Sequence, residues 1–524
     1  MANTKTFLFL LFLFSFFLRS IFINQLPPSL NWDEVSHGFN AYSILKTGKD
    51  EWGSTLPLIF RAYGDFKLPL YIYLTTPLIL IFGLNPFSVR LLSMLAGSLT
   101  PIILYLISKK YLSSKTALLV ALISALSPWS IFLSRIALEA NVFTFLLLLS
   151  FYFLLEKKYV QSTIVYSLSL FTYNSSRVYL PFYLILLFVS LAVNKINFKK
   201  DIFKYTFLII SLILVLFQSL QTEGQARYKW VSILDSGAIN RINELRSQYP
   251  RFVVNKVTYF TLNATKNYIS HFNPAYVFLN GSNNSQFNIP NFYLIHPLFF
   301  IFLLFGLFSL IKIKSFEGRI LLLFFFISPI PSAITRDAPH LLRSLVFLPL
   351  IAIIIGLGID FVISKLKAEK TIIVLILFLL TLSQYSFWNV YKNYAITNSQ
   401  SWQYGYKEVI DYVKPLYDDY DLIVFTKKYG EPHEFILFHW PWAPSSYQNH
   451  PKDWDYHADW YWVNSFDKFV FLNDWELMEQ LRNLSGKKIL LITSPQNYNP
   501  QEYNLLNTIN FLDSSQAFQI LEKI

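Results

Sequence analysis

The chain holds 524 residues, 54% hydrophobic and only 15% charged, with 51 Phe, no Cys and a net charge of +12. Soluble domains carry about 25% charge, and the apolar residues here gather in runs of about 20, the length that crosses a bilayer. A soluble globular, disordered, collagen-like or coiled-coil chain is thereby excluded, as are a disulfide framework and a Cys-based zinc site, and the basic excess belongs to cytoplasmic loops rather than to a nucleic-acid surface.

About 11 membrane spans are expected, at 6–24, 88–108, 116–134, 141–155, 160–176, 178–194, 203–220, 296–312, 319–335, 342–364 and 371–390. No small-x-small cleavage site follows the first, which therefore reads as a span and not as a removable leader. Five alternate connections are basic: 109–115, 157–158, 195–204, 312–319 and 365–370, which together hold 15 Lys and Arg. By the positive-inside rule these are cytoplasmic, so the N-terminus lies inside and residues 25–87, 221–295 and 391–524 lie outside. Residues 68–84 are apolar enough to span, but counting them breaks the alternation. They are expected as a helix lying against the outer face. The outer segment 221–295 carries amphipathic patterns that suit either a lid on the membrane or a connector.

Composition shifts near Tyr391. Beyond it, short apolar runs (DLIVF at 421–425, KKILLI at 487–492) read as strands, and EVIDYV and DWELMEQLRNL read as helices. The fold class expected is an α-helical polytopic membrane protein with a small C-terminal α/β domain. Trp440, Trp442, Trp454, Trp460 and Trp462 crowd this tail, where core packing, sugar stacking and membrane anchoring are all open uses.

The first outer loop begins NWDEVSHGFNAYSIL, with Asp33 and Glu34 a few residues beyond the membrane exit. A carboxylate there can serve as a general base that activates an acceptor hydroxyl. It can equally be a helix N-cap, since Asp before a helical stretch accepts from first-turn amides. The loop continues through Lys67-Leu68-Pro69-Leu70-Tyr71 to Arg90-Leu91-Leu92-Ser93…Gly97.

This order of parts resembles the GT-C glycosyltransferases, nearest the protein O-mannosyltransferases and the lipid A aminoarabinose transferases. In that family an Asp, usually followed by Glu, comes after the first helix. A His/Lys-Pro-Pro-Leu-Tyr-like stretch and an Arg-Leu-x-Ser-x-x-x-Gly helix follow. The layout is shared over residues 1–390, and the motifs fall mainly in 1–180 and 335–350. Where the family doubles proline, this chain has Leu68-Pro69. The resemblance implies a membrane enzyme that uses a polyprenyl-phosphate-linked sugar, with Asp33 as catalytic base, Glu34 supporting it or contacting sugar, and Lys67 near the lipid phosphate. The expected domains are then 1–390, a transmembrane catalytic domain including outer loops 25–87 and 221–295, and 391–524, an extracytoplasmic α/β domain.

Further along, Arg135 and Glu139 stand at i, i+4, where a helix would put them on one face. An interfacial ion pair is one use; the resemblance implies the other, lining of the substrate cavity. Arg177 in TYNSSRVYLP is a candidate for the lipid phosphate. ITRDAPHLLRSLVFLPL gathers Arg336, His340 and Arg343 at the expected outer face, with Pro349 in register with an Arg-Tyr-x-x-x-x-x-Pro stretch of bacterial relatives. Arg and His donors would neutralise a departing phosphate; snorkelled headgroup anchoring is the alternative.

No cofactor is expected, and no metal. A monophosphate leaving group does not require one. His433-Glu434 with His439 lacks H-E-x-x-H spacing, and Asp33 with His37 makes an incomplete ion site. The expected function is inverting transfer of a sugar from a polyprenyl-phosphate donor to an acceptor hydroxyl on the outer face. The acceptor (lipid, glycan or protein) and the sugar are not encoded in these motifs. A transporter or flippase for a lipid-linked glycan competes; it requires ionisable groups at bilayer mid-depth, and the charges here cluster at span ends.

Overall fold

The computed structural model describes residues 2–64, 66–196, 202–282, 284–457, 460–484 and 486–524. Lys199, Lys200 and Asp201 of the expected cytoplasmic connection lie outside these. The chain divides into two compact units, one of Met1–Ile21 with Ser93–Asn389, the other of Phe22–Leu92 with Val390–Ile524.

The first unit is a bundle of apolar helices, and a helix falls on each of the expected spans. Six of the chain's described helices are long and apolar enough to cross a membrane: Pro86–Ser108, Ser175–Val193, Phe203–Leu220, Phe316–Ala333, Phe347–Leu366 and Glu369–Thr397. A seventh is reached if Ser114–Leu126 and Pro128–Ser134, bent by 52°, form one broken span. Of the four other expected spans, one falls on Ala2–Ser20, and three fall on Glu139–Leu155, Tyr159–Ser169 and Phe299–Lys312, which are apolar but short. The chain is a mostly helical, multi-pass membrane protein.

The basic connections come together at one end of this unit. Lys110 pairs with Glu156, Lys115 Nζ lies 2.6 Å from Glu369, and the Tyr111 hydroxyl donates to the Glu317 carbonyl at 3.1 Å. Three of the five connections that the charge pattern groups together, and the residue just before a fourth, are thus in contact. The segment 221–295, expected on the outer side, contributes helices Ser236–Leu245 and Lys256–Ser270. Asn267 Nδ2 donates to the carbonyls of Ala333 and Thr335, and Tyr276 bonds Ser344 at 2.9 Å, so this segment braces residues 333–344.

Helices Phe299–Lys312 and Phe347–Leu366 approach closely at two glycines. A Cβ on Gly306 would stand 1.8 Å from the Ile354 carbonyl oxygen, and one on Gly358 1.8 Å from that of Phe302. Without a hydrophobic drive between helices in lipid, such backbone proximity carries the packing. Gly358→Ala is expected to force the pair apart at a cost of about 1–3 kcal/mol, the usual penalty for overpacking. Thermal unfolding in detergent reads it as a lowered Tm; an unchanged Tm would refute the close approach.

The second unit is built on a seven-stranded sheet in the order Lys452–His457, Trp460–Phe466, Phe469–Leu472, Leu422–Thr426, Ile489–Thr493, Gln516–Lys523, Tyr503–Asn510. The three central strands are parallel, and the outer pairings are antiparallel. The central pair matches the sequence-read runs, since fully apolar stretches are what a doubly covered parallel strand requires. The helix begun at Glu369 runs on to Thr397, past the composition break near Tyr391. Residues 68–84 do form a helix, Pro69–Phe82, whose proline takes the first position, where its missing N–H costs nothing. Its Ile72 and Ile79 pack with Ala41, Ile44 and Phe60, while Leu74, Leu80, Ile81 and Phe82 stay exposed, an apolar strip suited to a membrane interface.

Candidate active site

The stretch around Asp33 and Glu34 folds as the helix Trp32–Thr47, and its start is over-determined. Asn31 is the cap: its side chain accepts from the Glu34 N–H at 3.0 Å, and Glu34 Oε2 accepts from the Asn31 N–H at 3.2 Å. The capping position therefore belongs to Asn31 and not to Asp33, whose carboxylate is left for other work. Asp33 Oδ1 accepts from Lys67 Nζ at 2.6 Å. Both side chains are partly accessible, Asp33 at 29% and Lys67 at 12%. Lys67 is placed by a two-residue hairpin, Phe66–Lys67 against Phe60–Arg61, just before Pro69 starts the next helix.

Glu34 has the opposite environment. It is fully buried and held by both arms of Arg90, Nε to Oε1 at 2.8 Å and Nη2 to Oε2 at 2.9 Å. Arg90 also donates to the carbonyls of Ile23 and Ser29, each at 2.7 Å. Both Glu34 oxygens are occupied by this fork, so the side chain fixes the helix that presents Asp33. Trp32 N–H donates to Gln403 Oε1 at 2.8 Å, and Gln403 Nε2 donates to the Tyr429 carbonyl at 2.7 Å, which ties the helix start to the tail. His37 packs on Tyr71, ring centres 5.1 Å apart.

Aromatic rings flank Asp33. Trp32, Tyr63 and Trp460 are mutually in contact, with centroid separations of 5.6 to 6.0 Å. Burial, with the charges of Glu434, Asp33 and Glu51, holds the Tyr63 phenol well above its usual pKa. Of the five tail tryptophans singled out in the sequence, Trp460 is thus drawn to the Asp33 helix. Trp440 and Trp442 pack with Phe469 in the sheet, and Trp454 lies on Trp52.

The cationic residues are in the other unit, each with neighbours there. Arg336 lies 3.6 Å from Asp235 and 3.7 Å from Asp337, over the Trp230 ring at 5.4 Å. Arg343 Nη1 donates to Thr335 Oγ1 at 2.8 Å and stands 3.9 Å from Asp337. Arg336 and Arg343 thus share one carboxylate, and the His340 ring packs against Phe287 on the same turn-rich segment. Arg177 Nη2 donates to Gln218 Oε1 at 2.6 Å, bridging two apolar helices. Arg135 is fully buried, donates to the carbonyls of Leu18 and Arg19, and stacks over Trp388 at 5.4 Å. Arg135 and Glu139 do not sit on one continuous helix: the first ends at Ser134 and the next begins at Glu139, because the chain turns through 135–138.

The sequence reading missed a third group. Glu51, Glu431, His433 and Glu434 are all buried in the second unit. Glu431, His433 and Glu434 lie just past the carboxyl end of the central strand Leu422–Thr426, where open α/β sheets place ligands. Burial pushes Glu51 and Glu431 each up to about 7 and Glu434 well above the carboxylate range, and it holds His433 down to about 3 with Lys427 and Lys452 nearby. The string EPHE was legible, but nothing local tied it to Glu51, from the opposite end of the chain.

Residues 67–220 match the family described as dolichyl-phosphate-mannose-protein mannosyltransferase. No curated protein matches the chain in sequence. Among solved structures, the chain is similar to ArnT from Cupriavidus metallidurans bound to undecaprenyl phosphate, with 10% identity and a TM-score of 0.55, over 100% of this chain and 98% of that one. It is also similar to the Archaeoglobus fulgidus oligosaccharyltransferase in the apo form, with 13% identity and a TM-score of 0.51, over 83% of this chain and 64% of that one. The same oligosaccharyltransferase tethered to an acceptor peptide gives 13% identity and a TM-score of 0.50, over 84% and 63%. The chain has the fold of these proteins, and the matched stretch runs from Lys67 through Arg135, Glu139 and Arg177.

Proposed function

We propose that the protein is a membrane glycosyltransferase that moves a sugar from a polyprenyl-phosphate donor to an acceptor hydroxyl on the outer face, with inversion. Asp33 takes the acceptor proton as the acceptor oxygen bonds to the anomeric carbon; the carbon–oxygen bond to phosphate breaks, and polyprenyl phosphate leaves. Lys67, Arg336, His340 and Arg343 meet the phosphate charge, with Arg135 and Arg177 as further cations. Glu34 positions Asp33, and Glu139 lines the sugar or acceptor cavity. The tail, residues 391–524, lies on the outer side with the loop that carries Asp33.

The observation that carries this reading is the Asp33–Lys67 pair, an accessible carboxylate held 2.6 Å from an ammonium on a helix capped by another residue, in a chain with this fold. An ammonium that orients a carboxylate is also suited to a phosphate. Comparing polyprenyl lipids and surface glycans by mass spectrometry, with and without the gene, names donor and acceptor together. Accumulated lipid-linked sugar and a lost glycan are expected; identical profiles would remove the proposal.

Arg343→Gln is expected to raise KM for the donor about 10-fold or more, because a hydrogen bond from a charged donor contributes about 1.5–3 kcal/mol. Its kcat should change less if the guanidinium acts mainly in binding. A steady-state titration of the donor separates the two, and an unaltered KM would take Arg343 out of the donor site.

A further inference from the structure

In the second unit, one ligand atom from each of Glu51, His433 and Glu434 lies within 4.8 Å of those of the other two. All three side chains are at least 97% buried. Each carries an atom with no hydrogen-bond partner among the described residues: Oε2 of Glu51, Oε2 of Glu434 and Nδ1 of His433. Orphaned polar atoms in a dry site cost about 1–3 kcal/mol each, and three in one cluster call for a common occupant. Other atoms of the group are engaged. Glu51 Oε1 accepts from Asn40 Nδ2 at 2.9 Å, which fixes its orientation as an outer-shell partner would. Glu431, whose carboxyl accepts from Trp460 Nε1, stands 3.5 Å from His433 Nδ1, within reach as a further donor.

We propose that Glu51, His433 and Glu434 form a binding site for a divalent first-row transition cation, of the zinc or manganese kind. Two carboxylates and one imidazole leave a coordination position open, the arrangement of sites with three protein ligands. An imidazole in the set favours such ions over magnesium or calcium, which prefer all-oxygen shells. The ion would join the loop after the Asp33 helix to the helix Pro432–His439. Those two helices already touch where Gly38 meets Phe438: a Cβ on Gly38 would fall 2.5 Å from that ring. The site is thus a brace for the helix that presents Asp33, and it stands whether or not the chain transfers sugar.

The test uses the full chain in detergent, stripped with a chelator and dialysed against Zn2+ or Mn2+. A single saturable ion per chain is expected, with a raised Tm. Glu51→Gln or Glu434→Gln should weaken binding at least about 10-fold, since even outer-shell changes cost about 10–100-fold. His457→Ala, at an exposed His457–Asp455 pair, should leave binding unchanged. X-ray absorption on the zinc-loaded unaltered chain needs no variant to fold and should report one imidazole among light-atom ligands. No saturable ion, a shell with two or more imidazoles, or full binding in the glutamine variants would each overturn the site. So would a stripped protein that Glu434→Gln stabilises while metal does nothing, which identifies a proton shared between Glu51 and Glu434 as the occupant.

Discussion

Replacing Asp33 with Asn is expected to lower sugar transfer by about 100- to 10,000-fold, the range that a positioned general base contributes, while the protein folds as before. The two halves of that expectation rest on different observations. Retained folding follows from exposure and partners: Asp33 is 29% accessible, it does not cap its helix, and an amide of the same shape can stay beside Lys67. Loss of transfer follows from chemistry, since an amide cannot take a proton from the acceptor. Lys67→Gln should produce a different profile. It removes a cation from the phosphate as well as the partner of Asp33, so donor affinity falls along with turnover. The double variant should lose less than the sum of the two single losses, as residues that act as one unit do. Proteoliposomes loaded with a polyprenyl-phosphate sugar extract give the rates, and protection by donor in thermal unfolding gives binding. Full transfer by the Asn variant would end the base assignment outright.

How much of this was legible beforehand depended on whether the signal was local. The apolar helices, the strand cores and the helix over 68–84 are set by residues adjacent in the chain, and they lie where hydropathy puts them. That the basic connections gather together was legible too, because charge bias acts loop by loop. Helix length was not everywhere legible: Tyr159–Ser169 ends well before the close of the expected 160–176, and Phe299–Lys312 starts later than the expected 296–312. At the candidate site the carboxylate and its lysine were readable as motif members. That Asn31 takes the cap, and so leaves Asp33 to Lys67, depended on a one-residue choice among Asn, Asp and Glu that pattern alone does not decide. Arg90 was visible only as a motif position, and its bond to Glu34 is a tertiary fact. The Glu51, His433 and Glu434 group was invisible because its members meet only after the first outer loop and the tail fold into one unit.

The Glu34–Arg90 fork is expected to give the largest stability loss of any single substitution in the second unit. Glu34 is 0% and Arg90 1% exposed, so neither charge has water to fall back on. Removing one member of such a pair leaves the other buried and uncompensated, at a cost of about 3–5 kcal/mol. Glu34→Gln keeps the volume and can keep the hydrogen bond to the Asn31 N–H, so its loss isolates the charge. Arg90→Met should cost at least as much, because the carbonyls of Ile23 and Ser29 lose their donor as well. Pairing Glu34→Leu with Arg90→Met should recover part of the loss, as apolar replacement of a buried pair often does. The expected signature is a fall in Tm and faster proteolysis of residues 22–92 and 390–524, with kcat per folded molecule changing far less than for Asp33→Asn. That contrast separates the neighbouring carboxylates into one that reacts and one that holds the helix. A Glu34→Gln protein that unfolds at the normal temperature but transfers no sugar would reverse the assignment and make Glu34 the chemical residue.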